Sequence, residues 1–173
     1  MGTKTYKVAI IGAESTGKTA LAEALALRYN TIWVPEYART YLEKLNRPYT
    51  RLDVEDIARG QIHLEEAALE QRPSMLFCDT NLLVIKIWMD HAYGFTPEWI
   101  LDAIRQRQYH LHILTDWQIP YEPDPLREHP EMRDYFTVKY RQEIEQSKVP
   151  FLYVKGSLHE RLQQVSDFLK IDK

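Results

Sequence analysis

The chain predicts an α/β fold, a five-stranded parallel sheet with helices on both faces, and three observations carry that expectation. Short apolar runs alternate with longer helical patterns, as repeated βαβ units require. A length of 173 residues, with 45% hydrophobic and 27% charged residues, suits a single domain spanning 1–173 with a core of useful size. The stretch GAESTGKT, Gly12 to Thr19, sits where an apolar run gives way to a helical pattern.

The strands are expected at Tyr6–Ile11 (YKVAII), Thr31–Val34 (TIWV), Met75–Cys78 (MLFC), Leu111–Leu114 (LHIL) and Phe151–Val154 (FLYV). Between the first two, Ala and Leu content predicts a helix over TALAEALALRY. DVEDIARGQIHLEEAALEQR predicts a longer one with an acidic first turn, weakened in its middle by Gly60. Helices follow over LLVIKIWMDHAYG, TPEWILDAIRQRQ and MRDYFTVKYRQEIEQS. The last helix is LHERLQQVSDFLK, where Leu158, Leu162, Val165 and Leu169 recur at helical spacing. Residues 115–130 show no periodicity; Pro120, Pro123, Pro125 and Pro130 break any regular element, and the length suits a lid.

Composition removes several classes. The formal charge of -3 provides no general basic surface for nucleic acid. Cys78 is the lone cysteine, so no intrachain disulfide can form, and it reads as a small buried hydrophobe. No run is long and apolar enough to span a bilayer, and MGTKTYK leads directly into an expected strand without the apolar segment of a signal peptide. The expectation is a cytoplasmic protein whose partner is a small molecule, neither nucleic acid nor membrane; the number of subunits is open. The histidines show no ligand-like grouping for zinc.

GAESTGKT fits Gly, four residues, Gly, Lys, Ser/Thr, in the strand-to-helix setting its mechanism requires. Backbone N–H groups of Gly12, Ala13, Glu14, Ser15, Thr16, Gly17, Lys18, Thr19 and Ala20, with the helix N-terminus behind them, would cradle the phosphates of ATP or GTP. Lys18 would bridge the terminal phosphates and the Thr19 hydroxyl would ligate Mg²⁺. Asp79, the acid that ends MLFCD, is the expected second metal group, with a helix cap as its structural alternative. A dinucleotide fingerprint fails because Glu14 stands where its second glycine belongs. The guanine-reading Asn-Lys-x-Asp of a GTPase is missing, since TDWQ follows LHIL.

For the acceptor, Glu36 and Arg39 in PEYART would share a face if a helix begins there, at the carboxyl end of the second strand. Glu36 could orient or deprotonate a hydroxyl, and Arg39 could hold phosphoryl oxygens. Arg127 is the residue a closing lid would bring onto the transferring phosphoryl group. A local ion pair and a solvated arginine are the structural alternatives. Of the aromatics, Trp88 reads as core, while Tyr37, Trp117 and Tyr121 are open.

GAESTGKT, PEYAR (Pro35–Arg39), Gly60–Gln61, FCDTN (Phe77–Asn81) and the loop through DPLR to Arg127 together resemble the ribosylnicotinamide kinase domain of the bacterial bifunctional NAD-biosynthesis regulators, here standing alone. The resemblance implies a P-loop NTPase fold like that of nucleoside monophosphate kinases, with ATP and Mg²⁺ served by Lys18, Thr19 and Asp79. It places Glu36 and Arg39 in a riboside pocket and Arg127 in the lid, and implies transfer of the γ-phosphoryl group to the 5′-hydroxyl of nicotinamide riboside. Pro35 stands where the family has an aromatic residue, and Asn81 where it tends to have aspartate. Another nucleoside or nucleotide as acceptor, or an ATP-binding regulatory protein with little transfer activity, are the alternatives.

Overall fold

The computed structural model describes residues 4–171. Five strands, β1 (Tyr6–Ile11), β2 (Ile32–Val34), β3 (Met75–Asp79), β4 (Leu111–Thr115) and β5 (Phe151–Val154), form one parallel sheet in the order β2-β3-β1-β4-β5. Helices cover both faces, as the alternation in the sequence requires. On β1 the period of two sends Val8 and Ile10 to one face and Ala9 and Ile11 to the other. The first pair packs with Leu21 and Leu25 of α1 (Lys18–Arg28) and Val165 and Leu169 of the last helix. The second pair packs with Leu83 and Ile87 of a helix after β3 and with Phe136, Tyr140 and Ile144 of one before β5.

The described residues form seven α-helices. After α1 come α2 (Tyr37–Glu43), α3 (Arg51–Glu70), α4 (Leu82–Tyr93), α5 (Glu98–Gln106), α6 (Arg133–Ser147) and α7 (Leu158–Ile171), with a short 3₁₀ turn at Pro130–Met132. The helix in PEYART forms, but Glu36 is its cap rather than part of it. α3 starts two residues before the acidic stretch. Thr50 and Asp53 make a reciprocal capping box, which satisfies N–H groups the opening turn would otherwise leave bare. β3 and β4 each run one residue further than their apolar runs, to Asp79 and Thr115, because both polar residues are buried at the sheet's carboxyl edge.

A third apolar cluster lies beyond the sheet edge. Val54, Ile57 and Ala58 of α3 meet Leu82, Ile85 and Met89 of α4 and Ile100 and Ala103 of α5. This cluster holds α2 and α3 above the carboxyl ends of β2 and β3, leaving a cleft beside the phosphate loop. Residues 116–129 form no helix or strand, as Pro120, Pro123 and Pro125 dictate, and return over that cleft.

Candidate functional site

β1 delivers the chain to Gly12, and the loop turns into α1 through Gly17 at φ 73°, a left-handed conformation that glycine adopts without a Cβ penalty. Ser15 is also left-handed, at φ 56°. The turn is pinned from three sides. Thr16 Oγ1 shares a hydrogen bond with Thr115 Oγ1 of β4 (2.7 Å) and donates to the Ala13 carbonyl (2.8 Å). Arg161 of α7 donates to the Thr16 carbonyl (2.7 Å). Lys18 Nζ lies over the loop, donating to the Ala13 carbonyl (2.9 Å).

Asp79 reaches the same place because β3 pairs with β1, setting Asp79 beside Ile10, two residues before the loop begins at Gly12. Thr19 Oγ1 donates to Asp79 Oδ2 (2.5 Å), while Asp79 Oδ1 is buried without a partner among the described residues. Burial pushes the Asp79 carboxyl above its usual range, opposed by Lys18 and by the Thr19 hydrogen bond. A hydroxyl beside a carboxylate with a bare oxygen fits Mg²⁺, a hard cation that takes oxygen ligands and keeps several from water and phosphate. No group of three or more His, Cys, Asp or Glu that could hold a metal occurs among the described residues.

A cavity of about 430 Å³ opens from the phosphate loop. Gly12, Glu14, Ser15, Thr16, Gly17, Lys18, Thr19 and Ala20 line it together with Glu36, Arg39 and Arg127. Ala13 is buried beneath the loop and contributes its carbonyl. Glu36 is held by Gln61 of α3, whose amide donates to the Pro35 carbonyl (3.2 Å) and accepts from the Tyr37 N–H (2.8 Å). Burial raises the Glu36 carboxyl above its usual range; Lys18 lowers it, Asp79 raises it further, and Arg39 lowers it.

The two arginines are both engaged. Arg39 pairs with Asp124 of the 116–129 loop (2.8 Å), and with Glu43 at 3.8 Å. Arg127 lines the cavity but turns back on its own loop, donating to the Glu122 carbonyl near Asp124. Thus the expected shared helix face of Glu36 and Arg39 gives way to different partners, a strand-end carboxylate held by α3 and a helix residue tied to the loop.

The reading of Trp88 as core packing holds in part. Half-buried, it packs against two of the core clusters and also lines the cavity, with Tyr49 beside it at 6.2 Å between ring centres. Trp33 packs against the β1 side of the core, and Tyr37 lies over Gly60. Ile85 and Trp88, three apart on α4, both face the cavity, a spacing that could have flagged Trp88. Nothing in the sequence alone marked Tyr49, which lies in an irregular segment. Asn81 is an N-cap, accepting from the Leu83 N–H (3.0 Å). Cys78 is buried, with its thiol pushed well up, chiefly by burial.

A strand, a Gly-x-x-x-x-Gly-Lys-Thr loop and a helix inside this parallel sheet define a P-loop nucleotide-binding protein. The AAA domain family matches residues 7–161, and the chain belongs to that family. It is 28% identical over 126 residues to the trifunctional NAD biosynthesis/regulator protein NadR of Escherichia coli (strain K12), a match covering 69% of this chain and 30% of NadR. The chain therefore spans less than a third of that relative. Crystal structures of NadR protein in complex with NR, and with NAD and AMP-PNP, both match at TM-score 0.77 and 20% identity. They cover 95% and 96% of this chain and 49% and 50% of theirs. Thymidylate kinase from Ehrlichia chaffeensis matches at TM-score 0.64 and 13% identity, covering 98% of this chain and 99% of its own. The fold is that of P-loop kinases of the nucleoside monophosphate kinase type, and the chain is similar to NadR in sequence and in fold, as its motifs indicated. No helix among the described residues is long and apolar enough to cross a membrane.

Proposed function

We propose that this protein is an ATP- and Mg²⁺-dependent kinase that transfers the γ-phosphoryl group of ATP to the 5′-hydroxyl of nicotinamide riboside, giving nicotinamide mononucleotide. The carrying observation is the 430 Å³ cavity, in which one continuous lining includes the phosphate loop, the Glu36 carboxylate and an aromatic wall of Tyr49 and Trp88. Similarity to NadR, crystallised with NR and, separately, with NAD and AMP-PNP, supports a riboside and an ATP-like donor as ligands.

In this reading the loop N–H groups and Lys18 bind the donor phosphates, where positive charge counts most as the transition state spreads its negative charge. Thr19 and Asp79 would hold Mg²⁺, which would supply positive charge against the phosphoryl oxygens. Glu36 orients the 5′-hydroxyl and accepts its proton. The loop at 116–129 is the lid that excludes water, and its Arg127 joins the phosphoryl site only by leaving the Glu122 carbonyl. The planar base packs on Trp88 and Tyr49, in place of an aromatic residue at Pro35. Four carboxylates, Glu14, Glu36, Glu122 and Glu128, line the cavity against Lys18, Arg39 and Arg127. With both arginines already engaged, this lining favours a neutral or cationic acceptor over a monophosphate.

The test is a coupled assay comparing nicotinamide riboside with uridine, cytidine, adenosine, deoxynucleosides and their monophosphates under identical ATP and Mg²⁺. Preference for nicotinamide riboside is expected, with Lys18→Ala lowering kcat by about 100-fold or more and leaving the fold intact. Preference for another acceptor rejects the riboside, and transfer undiminished in Lys18→Ala rejects the mechanism. ATP binding without transfer to any acceptor would identify a regulatory protein.

A further inference from the structure

We propose that Glu14, at the third position of the phosphate loop, is a positioning residue that couples occupancy of the donor site to the acceptor wall. The inference rests on the kinase reading above for the identity of the two sites. Glu14 is not needed for phosphate binding, which uses backbone N–H groups, and a carboxylate there opposes an anionic ligand. Its carboxylate instead accepts from two lid N–H groups, Glu128 (3.3 Å) and His129 (3.4 Å).

Those two residues are the ones that touch the acceptor wall. The Glu128 carboxylate accepts from the Tyr49 hydroxyl (2.8 Å), and the His129 ring lies 5.4 Å from that of Trp88. One side chain therefore stands between the loop that binds the donor and the two rings that face the acceptor. The other contacts between loop and lid are at the lid's near end. Ser15 Oγ accepts from the Glu122 N–H (2.8 Å), and Arg133 donates to both the Ser15 carbonyl (3.2 Å) and the Ile119 carbonyl (2.8 Å).

The sign of the coupling follows from charge. A bound triphosphate repels the Glu14 carboxylate out of the loop and toward the lid N–H groups, strengthening both hydrogen bonds. Donor binding thereby orders Glu128 and His129, and through them Tyr49 and Trp88. Such a link is reciprocal, so an acceptor that orders the rings also favours donor binding.

Hydrogen exchange of the full chain, with and without AMP-PNP and Mg²⁺, tests this without requiring turnover or a known acceptor. In the wild type AMP-PNP should slow exchange about tenfold over 122–129 and over the 45–50 segment carrying Tyr49. In Glu14→Ala and Glu14→Gln the slowing over 12–20 should persist, while that at 128–129 and 45–50 falls below about threefold. The second variant keeps the side-chain volume, so a folding defect in the first does not decide the result. Wild-type protection of 128–129 and 45–50 in both variants overturns the proposal. So does loss of AMP-PNP protection over 12–20, which would place Glu14 in donor binding itself. Titration with nicotinamide riboside separates the two readings. Failure of the wild type to bind it rejects that acceptor, while the exchange pattern still decides the role of Glu14.

Discussion

A carboxylate enclosed by protein favours its neutral form unless cations answer it, and at Glu36 burial outweighs Lys18 and Arg39. The folded protein therefore binds the Glu36 proton more tightly than the unfolded chain does. Its ionised form costs stability at neutral pH, a cost that fades as pH falls through the raised value toward the ordinary 4.5 and is absent below it. Glu36→Gln should accordingly raise Tm at pH 7, with the gain vanishing in acid, as thermal melts across pH would read. It should also depress kcat/KM for nicotinamide riboside by about 100-fold, with far less effect on AMP-PNP binding, and remove the acidic limb of the wild-type pH profile. A lowered Tm at pH 7 would show that Glu36 is answered by cations after all. At this scale the meeting of Lys18, Thr19 and Asp79 was legible because a contiguous motif and the first acid after a strand report on local geometry. Trp88 was not, since an indole in an apolar helix looks alike from the sequence whether it meets core or cavity.

Elements meet where side chains permit, and the α2–α3 contact depends on Gly60. A Cβ there would lie 2.0 Å from Tyr37 Cε1, so the residue that weakens α3 as an isolated helix is what lets α2 approach. The next residue, Gln61, anchors Pro35 and Tyr37 on either side of Glu36. Gly60→Ala gains about 1 kcal/mol of helix propensity but overpacks a closed contact, which costs typically 1–3 kcal/mol and more when neither backbone can yield. Denaturant titration should give a net loss of about 1–2 kcal/mol, with a raised KM for the acceptor as Glu36 shifts. A more stable variant with unaltered KM would show that Tyr37 swings away freely. The helices were legible by their periods, but α3's true start depended on the Thr50–Asp53 cap and α2 on its packing partner.

Across the whole molecule, buried titratable groups set the acid limit of stability. His112 on β4 is enclosed at the sheet, and burial lowers its pKa from 6.5 to about 4. Asn81 Oδ1 accepts from the Leu83 N–H, which directs the Asn81 amide donor at His112 Nε2 (3.4 Å) and favours a neutral ring. Because the unfolded chain takes up this proton first, stability is lost as pH falls from 6.5 toward 4, by roughly 3 kcal/mol in full. His112→Gln should flatten the free energy of unfolding over that window in equilibrium titrations, and an unchanged slope would assign the loss to other groups. The sequence by itself determined the class of fold, the five strands, the phosphate loop and the placing of Thr19 and Asp79 beside it, since each is written in residues close in the chain or in a short-period pattern. Only the tertiary structure decided the strand order, the cavity shared by Glu36, Tyr49 and Trp88, the pairing of Arg39 with Asp124, and the reach of Glu14 to the 116–129 loop. Those depend on contacts between residues tens of positions apart, and their geometry is fixed by how helices pack on the sheet, a global result that no local pattern encodes.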